Sequence, residues 1–109
     1  MVQSTPLKQR YNTMYVKIHK SSEKELLAVC DEDIIGQTFE EGILQLKISE
    51  SFYKGSIKSD TEVLELIKKF DNINLAGKNT VRLAIENEII DEKNLIYING
   101  IPHIQIYTF

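Results

Sequence analysis

The sequence contains a single cysteine, Cys30, so no internal disulfide can form, and a reducing compartment is expected. No apolar run approaches the roughly 18 residues a membrane helix needs. Residues 1–13 are polar, with Lys8 and Arg10, and lack the apolar segment of a secretory signal. There is no C-x-x-C and no H-x-x-x-H, and the two histidines are His19 and His103, far apart in the chain. That scarcity excludes the usual zinc spacings. Positive charge is not in excess either. A net charge of -3 argues against bulk electrostatic attachment to nucleic acid.

What is present is an ordinary globular composition. The 109 residues are 42% hydrophobic and 27% charged, enough for one domain with one core. The charge is uneven along the chain. Residues 1–24 hold Lys8, Arg10, Lys17, Lys20 and Lys24 against Glu23, whereas residues 25–50 hold Glu25, Asp31, Glu32, Asp33, Glu40, Glu41 and Glu50 against Lys47. One end can meet an anion while the whole molecule stays acidic, although a mixed solvated surface explains the same pattern.

Residues 1–13 show no apolar periodicity and are expected to form a loose tail, leaving one α+β domain over residues 14–109. Residues 14–20 alternate as a strand, with Val16 and Ile18 on one side and Tyr15, Lys17 and His19 on the other. Residues 25–30 read as the return strand of a hairpin, apolar on both faces and therefore central. A loop over residues 31–39, with Gly36 and at most a short helical turn, precedes a third strand at 44–48, whose Leu44, Leu46 and Ile48 should point inward. Phe52, Tyr53, Lys54 and Gly55 read as a turn.

The clearest helix covers residues 60–70. Ser59 and Glu62 form a capping box, Val63, Ile67 and Phe70 form an apolar stripe, and Glu65 precedes Lys69 at ion-pair spacing. Residues 71–78 read as a turn closed by Gly77. A second helix follows over residues 80–89, burying Val81, Ala84, Ile85 and Ile89. Strands at 95–98 and 103–109 flank Asn99-Gly100-Ile101-Pro102, in which Asn-Gly is a strong hairpin signal. The order β-β-β-α-α-β-β predicts a largely antiparallel five-stranded sheet with two helices on one face, a two-layer sandwich.

Lys17-Ile18-His19-Lys20, Val29-Cys30-Asp31, Ile35-Gly36, Phe52-Tyr53-Lys54-Gly55, Asn74-Leu75-Ala76-Gly77-Lys78 and Gly100-Ile101-Pro102-His103-Ile104-Gln105 occur in this order along the chain. In these motifs the sequence resembles the DUF424 family of small archaeal proteins, over residues 14–109. The resemblance implies an archaeal, cytoplasmic, compact α+β protein, carries a loose association with translation and RNA metabolism, and implies no activity.

Candidate chemistry is sparse. Cys30 paired with His19 or His103 would make a nucleophile and base, but the carboxylates of Asp31, Glu32 and Asp33 raise a nearby thiol's pKa, and Cys30 completes an apolar strand. The same three acids lack calcium-loop spacing and read as a solvated turn. Gly77-Lys78-Asn79-Thr80 ends like a phosphate loop, but Asn72 stands where the first glycine is needed. Gly77 and Lys78 at a helix start can still bind one anion, unless Asn79 and Thr80 cap the helix themselves. Phe52 or Tyr53, with Lys54 and Lys58 nearby, can form a stacking platform for RNA. His103, Gln105 and Tyr107 share one strand face. If the first and last strands are neighbours, that row joins Tyr15, Lys17 and His19 in one polar, aromatic patch.

The leading expectation is a small, non-enzymatic cytoplasmic binding module whose partner is RNA or a translation-associated complex, with no cofactor, no metal and no membrane association. Its candidate surface is Tyr15, Lys17, His19, Phe52, Tyr53, Lys54, Gly77, Lys78, His103 and Gln105. Two alternatives stay open: an enzyme acting on a small anionic metabolite with a histidine acid or base, and a protein-interaction subunit. Oligomeric state is not legible.

Overall fold

A computed structural model describes residues 13–107. The expected loose tail therefore lies, apart from Thr13, outside the described residues. The chain opens with the predicted hairpin, β1 (Thr13–Ser21) and β2 (Lys24–Asp31), with Val16 opposite Val29. A short 3-10 turn (Glu32–Ile34) leads to a second hairpin, β3 (Thr38–Glu41) and β4 (Leu44–Lys47), which forms its own two-stranded sheet. Helix α1 (Glu50–Tyr53) and strand β5 (Ser56–Ser59) follow, then helix α2 (Asp60–Ile67), strand β6 (Asn72–Ala76) and helix α3 (Lys78–Glu86). A second 3-10 turn (Glu92–Asn94) precedes β7 (Ile96–Ile98) and β8 (Ile101–Ile106).

The main sheet has six strands in the order β5-β1-β2-β6-β8-β7. All its pairs are antiparallel except β2 with β6. The α+β class is as expected, whereas the five-stranded, largely antiparallel, two-helix arrangement is not: the sheet is mixed, it has six strands, and the described residues hold three α-helices. Residues 71–78 are not a turn. They contain β6, the strand inserted between the two halves of the sheet. Asn72 and Asn74 disguise it, because asparagine is a poor strand former and a good turn former. Tertiary partners override that preference here, since Asn74 receives the Tyr53 hydroxyl at 2.5 Å.

Residues directly opposite each other across strands share a face. The row Val16–Val29–Leu75–Ile104 faces α2 and α3, and Val63, Ile67, Val81 and Ala84 from those helices close over it. Helix α2 starts on the expected capping box. The Ser59 side chain accepts from the Glu62 N–H, and the Glu62 carboxylate accepts from the Ser59 N–H. It ends at Ile67, so Lys69 lies beyond the helical turn that would have set it against Glu65.

The opposite face is covered too. Ala28, Cys30 and Ala76 form a floor of small side chains on which Leu46, Ile48 and Tyr53 pack. Phe52 and Tyr53 thus sit in a helical turn over the sheet, begun by the Ser49 hydroxyl, rather than in an extended turn. Leu46 and Ile48 point inward as expected, while Leu44 is about half exposed. Gly55 is required directly after α1, where a Cβ would lie 2.2 Å from the Val16 carbonyl oxygen.

Candidate functional site

The predicted residues separate into three places. Tyr15, Lys17 and His19 lie on the face of β1 that meets α1. In a helix of four residues the carbonyls of Ser51 and Phe52 have no backbone N–H ahead of them to accept from. Lys17 Nζ donates to the Ser51 carbonyl at 2.7 Å. His19 Nε2 lies 2.8 Å from the Phe52 carbonyl, which can only accept, so that nitrogen carries the proton. The His19 ring stacks on Phe52 with centroids 4.7 Å apart, and Phe52 meets Tyr53 edge-on at 4.8 Å. Lys17 and His19 therefore clamp α1 to the sheet. Lys54, at the end of α1, pairs with Glu50 at 3.8 Å on the surface.

Gly77 and Lys78 stand at the start of α3, at the far end of the sheet. The Asp31 side chain, 4% exposed, fills that helix start. It accepts from the N–H groups of Asn79 and Thr80 at 2.9 and 2.7 Å and from the Thr80 hydroxyl at 2.7 Å. Asp31 thus belongs to a buried cap, not to a solvated acidic turn. Gly77 adopts φ +109°, and a Cβ there would lie 2.5 Å from the Asp31 carboxyl carbon. The carboxylate occupies the place an external anion would take. Nothing in the sequence signals a cap that spans 48 residues.

Cys30 is fully buried, and burial followed by the charges of Asp31 and Asp33 pushes its thiol up to about 12. It lies opposite Tyr15 on one side and Ala76 on the other, so Ala76 separates it from His103 in the sheet. Among the described residues no group of three or more His, Cys, Asp or Glu side chains is placed to hold a metal.

The third place is a groove. β1 and β8 are not neighbours, because β2 and β6 lie between them, so the expected single patch does not form across adjacent strands. Tyr15, Lys17 and His19 nevertheless share a face of the sheet with His103 and Gln105. The register runs Lys17–Ala28–Asn74–Gln105 and Tyr15–Cys30–Ala76–His103. On this face an open groove of about 520 Å³ lies between the β4–α1 segment and strands β6, β7 and β8. Phe52, Tyr53, His103 and Gln105 line it, together with Asn74 and Lys47.

Its floor is polar and neutral, with Tyr53, Asn74 and His103 buried and Gln105 exposed. His103 Nδ1 lies 3.1 Å from the Leu75 carbonyl and must donate to it, which leaves Nε2 to accept from Gln105 Nε2 at 3.2 Å. Burial lowers the His103 pKa below its ordinary value, with the Leu75 bond pulling weakly the other way, so the imidazole is neutral. Burial likewise raises the Tyr53 phenol well above its usual range, with smaller contributions from Cys30 and Tyr107. Among the described residues, Lys47 is the one charged residue in the lining, and none of the lining residues is a carboxylate. By contrast, the groove beside His19 and Asn72 includes Glu25, and the one beside α3 and Tyr97 includes Glu86 and Glu92. Asn74, Gln45, Lys47 and Ser49 are groove residues the sequence reading missed. The alternation Ile73–Asn74–Leu75 was the available signal for Asn74, since it sets an amide between two apolar neighbours of a strand.

These features can be set beside known proteins. The DUF424 family model, a protein family of unknown function, matches residues 19–109. The chain belongs to the DUF424 family. An uncharacterised conserved protein from Methanopyrus kandleri has a similar structure, with a TM-score of 0.71 and 25% sequence identity, covering 87% of this chain and 90% of that one. No match is found among curated proteins. The fold of this DUF424 member is a mixed α+β sheet covered on both faces. In this member, no helix among the described residues is long and apolar enough to cross a membrane.

Proposed function

We propose that this DUF424 protein is a small, non-enzymatic binding module of the archaeal cytoplasm, and that its partner is RNA, in a translation-associated setting. The observation that carries this reading is the groove over β6 and β8. In a protein of net charge -3, no carboxylate among the described residues lines it, Lys47 does, and neutral hydrogen-bonding side chains form its floor. Single-stranded RNA is recognised through such groups together with aromatic rings.

The enzyme alternative is weaker. A histidine acid or base needs a free nitrogen and a pKa near the working pH. His103 has both nitrogens engaged and is held neutral, and Lys78 lies outside the groove, at the start of α3. A protein partner is the second reading. It rests on the tip of the β3–β4 hairpin, where Ile43 is fully exposed and Leu44 half exposed.

The test is binding of the full chain to tRNA and to ribosomal subunits at low salt. Binding whose affinity falls with rising salt supports phosphate contacts. No binding to either would reject RNA as the partner. Binding to subunits but not to free RNA, abolished by Ile43→Ser, would favour the protein reading.

A further inference from the structure

We propose that the groove holds one unpaired nucleobase, with its edge hydrogen-bonded by the amide side chains of Asn74 and Gln105 and its ring lying against Phe52. The inference rests on the RNA-binding reading and names the part of the RNA that enters.

Asn74 is 4% exposed, yet it lines the groove. Its Oδ1 accepts from the Tyr53 hydroxyl, while its Nδ2 has no protein partner among the described residues. Buried amide donors are rarely left unpaired, because desolvating them without a partner is costly. Gln105 is the direct antiparallel partner of Asn74, so the two side chains stand on one face about 5 Å apart. One Gln105 N–H goes to His103 Nε2, and its carbonyl oxygen has no partner among the described residues.

The floor therefore offers a donor from Asn74 beside an acceptor from Gln105. Every nucleobase edge that carries an acceptor next to a donor answers that pattern. The floor holds no ion, so a phosphate has no place there and a neutral planar group does. Lys47 and Ser49 on the opposite wall are placed for the sugar and phosphate. The volume of about 520 Å³ lies within the roughly 300–1,000 Å³ of small-ligand sites.

The test is a nuclear magnetic resonance titration of the isotope-labelled full chain with AMP, CMP, GMP and UMP in turn, following the side-chain amide signals of Asn74 and Gln105. Both signals should move with at least one nucleotide at millimolar concentration. Gln105→Leu should weaken that binding roughly tenfold, the loss of one well-placed hydrogen bond. Asn74→Leu should abolish it, and if that variant fails to fold, the exposed Gln105 carries the test alone. The proposal is overturned if neither signal moves with any nucleotide, or if Gln105→Leu binds as well as the parent. Overturned in that way while tRNA still binds, the RNA reading survives without a base pocket. Nucleotide shifts without tRNA binding would keep the pocket and reject the RNA reading.

Discussion

The two faces of the central sheet are built from the same strands and do different things. On the helix side, large aliphatic side chains interlock with α2 and α3, and the buried polar side chains there, Asp31 and Thr80, bond each other in the α3 cap. On the hairpin side, alternate residues of the same strands are small or polar: Ala28, Cys30 and Ala76, then Asn74 and His103. The small residues leave room for the Tyr53 ring, and the polar ones floor a groove. One face supplies stability, and the other carries hydrogen-bonding groups that a merely structural surface would not need. The contrast can be broken or sharpened by substitution.

The largest effect is expected from the helix face. Leu75→Ala removes a fully buried side chain and should cost about 3–5 kcal/mol by chemical denaturation, while Leu46→Ala on the hairpin side should fall near 2 kcal/mol. Equal losses would contradict the asymmetry.

Next comes the junction of β2 with α3. Asp31→Ala leaves the N–H and hydroxyl of fully buried Thr80 unpaired and should cost about 1–3 kcal/mol. Gly77→Ala should cost more than about 1 kcal/mol, because of its positive φ and the Asp31 carboxylate beside it. The double variant should lose less than the sum, since removing Asp31 removes the clash. Strict additivity in denaturation curves would show that the two do not press on each other.

On the groove side, Tyr53→Phe should cost about 1 kcal/mol by deleting one hydrogen bond to Asn74. The smallest effect concerns pH. His103 has a folded-state pKa below its ordinary value of 6.5, so the unfolded chain binds more protons between the two values. Its contribution is therefore flat above about pH 6.5. Stability falls as the pH drops from there through the lowered folded value. His103→Gln should flatten that part of the stability–pH curve, and an unchanged slope would mean that His103 is not held neutral.

How much of this was legible in the sequence follows from where each signal is stored. The β1–β2 hairpin, the Asn99-Gly100 turn and the capping box of α2 are written in local patterns and form as read. Helix α2 nevertheless stops at Ile67 rather than at residue 70, and Ile101 and Pro102 belong to β8 rather than to the turn. Strand β6 was not legible, because Asn72 and Asn74 carry turn chemistry whose cost is met by partners far away in sequence. Strands β3 and β5 are short and mostly exposed, so little apolar alternation marks them. In the groove, His103, Gln105, Phe52 and Tyr53 stood out as polar or aromatic residues at odd positions. Their meeting with Asn74 depends on the parallel pairing of β2 with β6, which no local pattern records. Lys17 and His19 stood out too, but the structure engages them in holding α1.

The most direct measurement is a residue-by-residue map of amide chemical-shift changes when a single-stranded RNA oligonucleotide is added to the full chain. Changes concentrated at Ser49, Asn74 and Gln105, with α2 and α3 silent, are the predicted result. Changes centred instead on Lys78 and Arg82 of α3, or none along β6 and β8, would contradict the division of labour between the two faces.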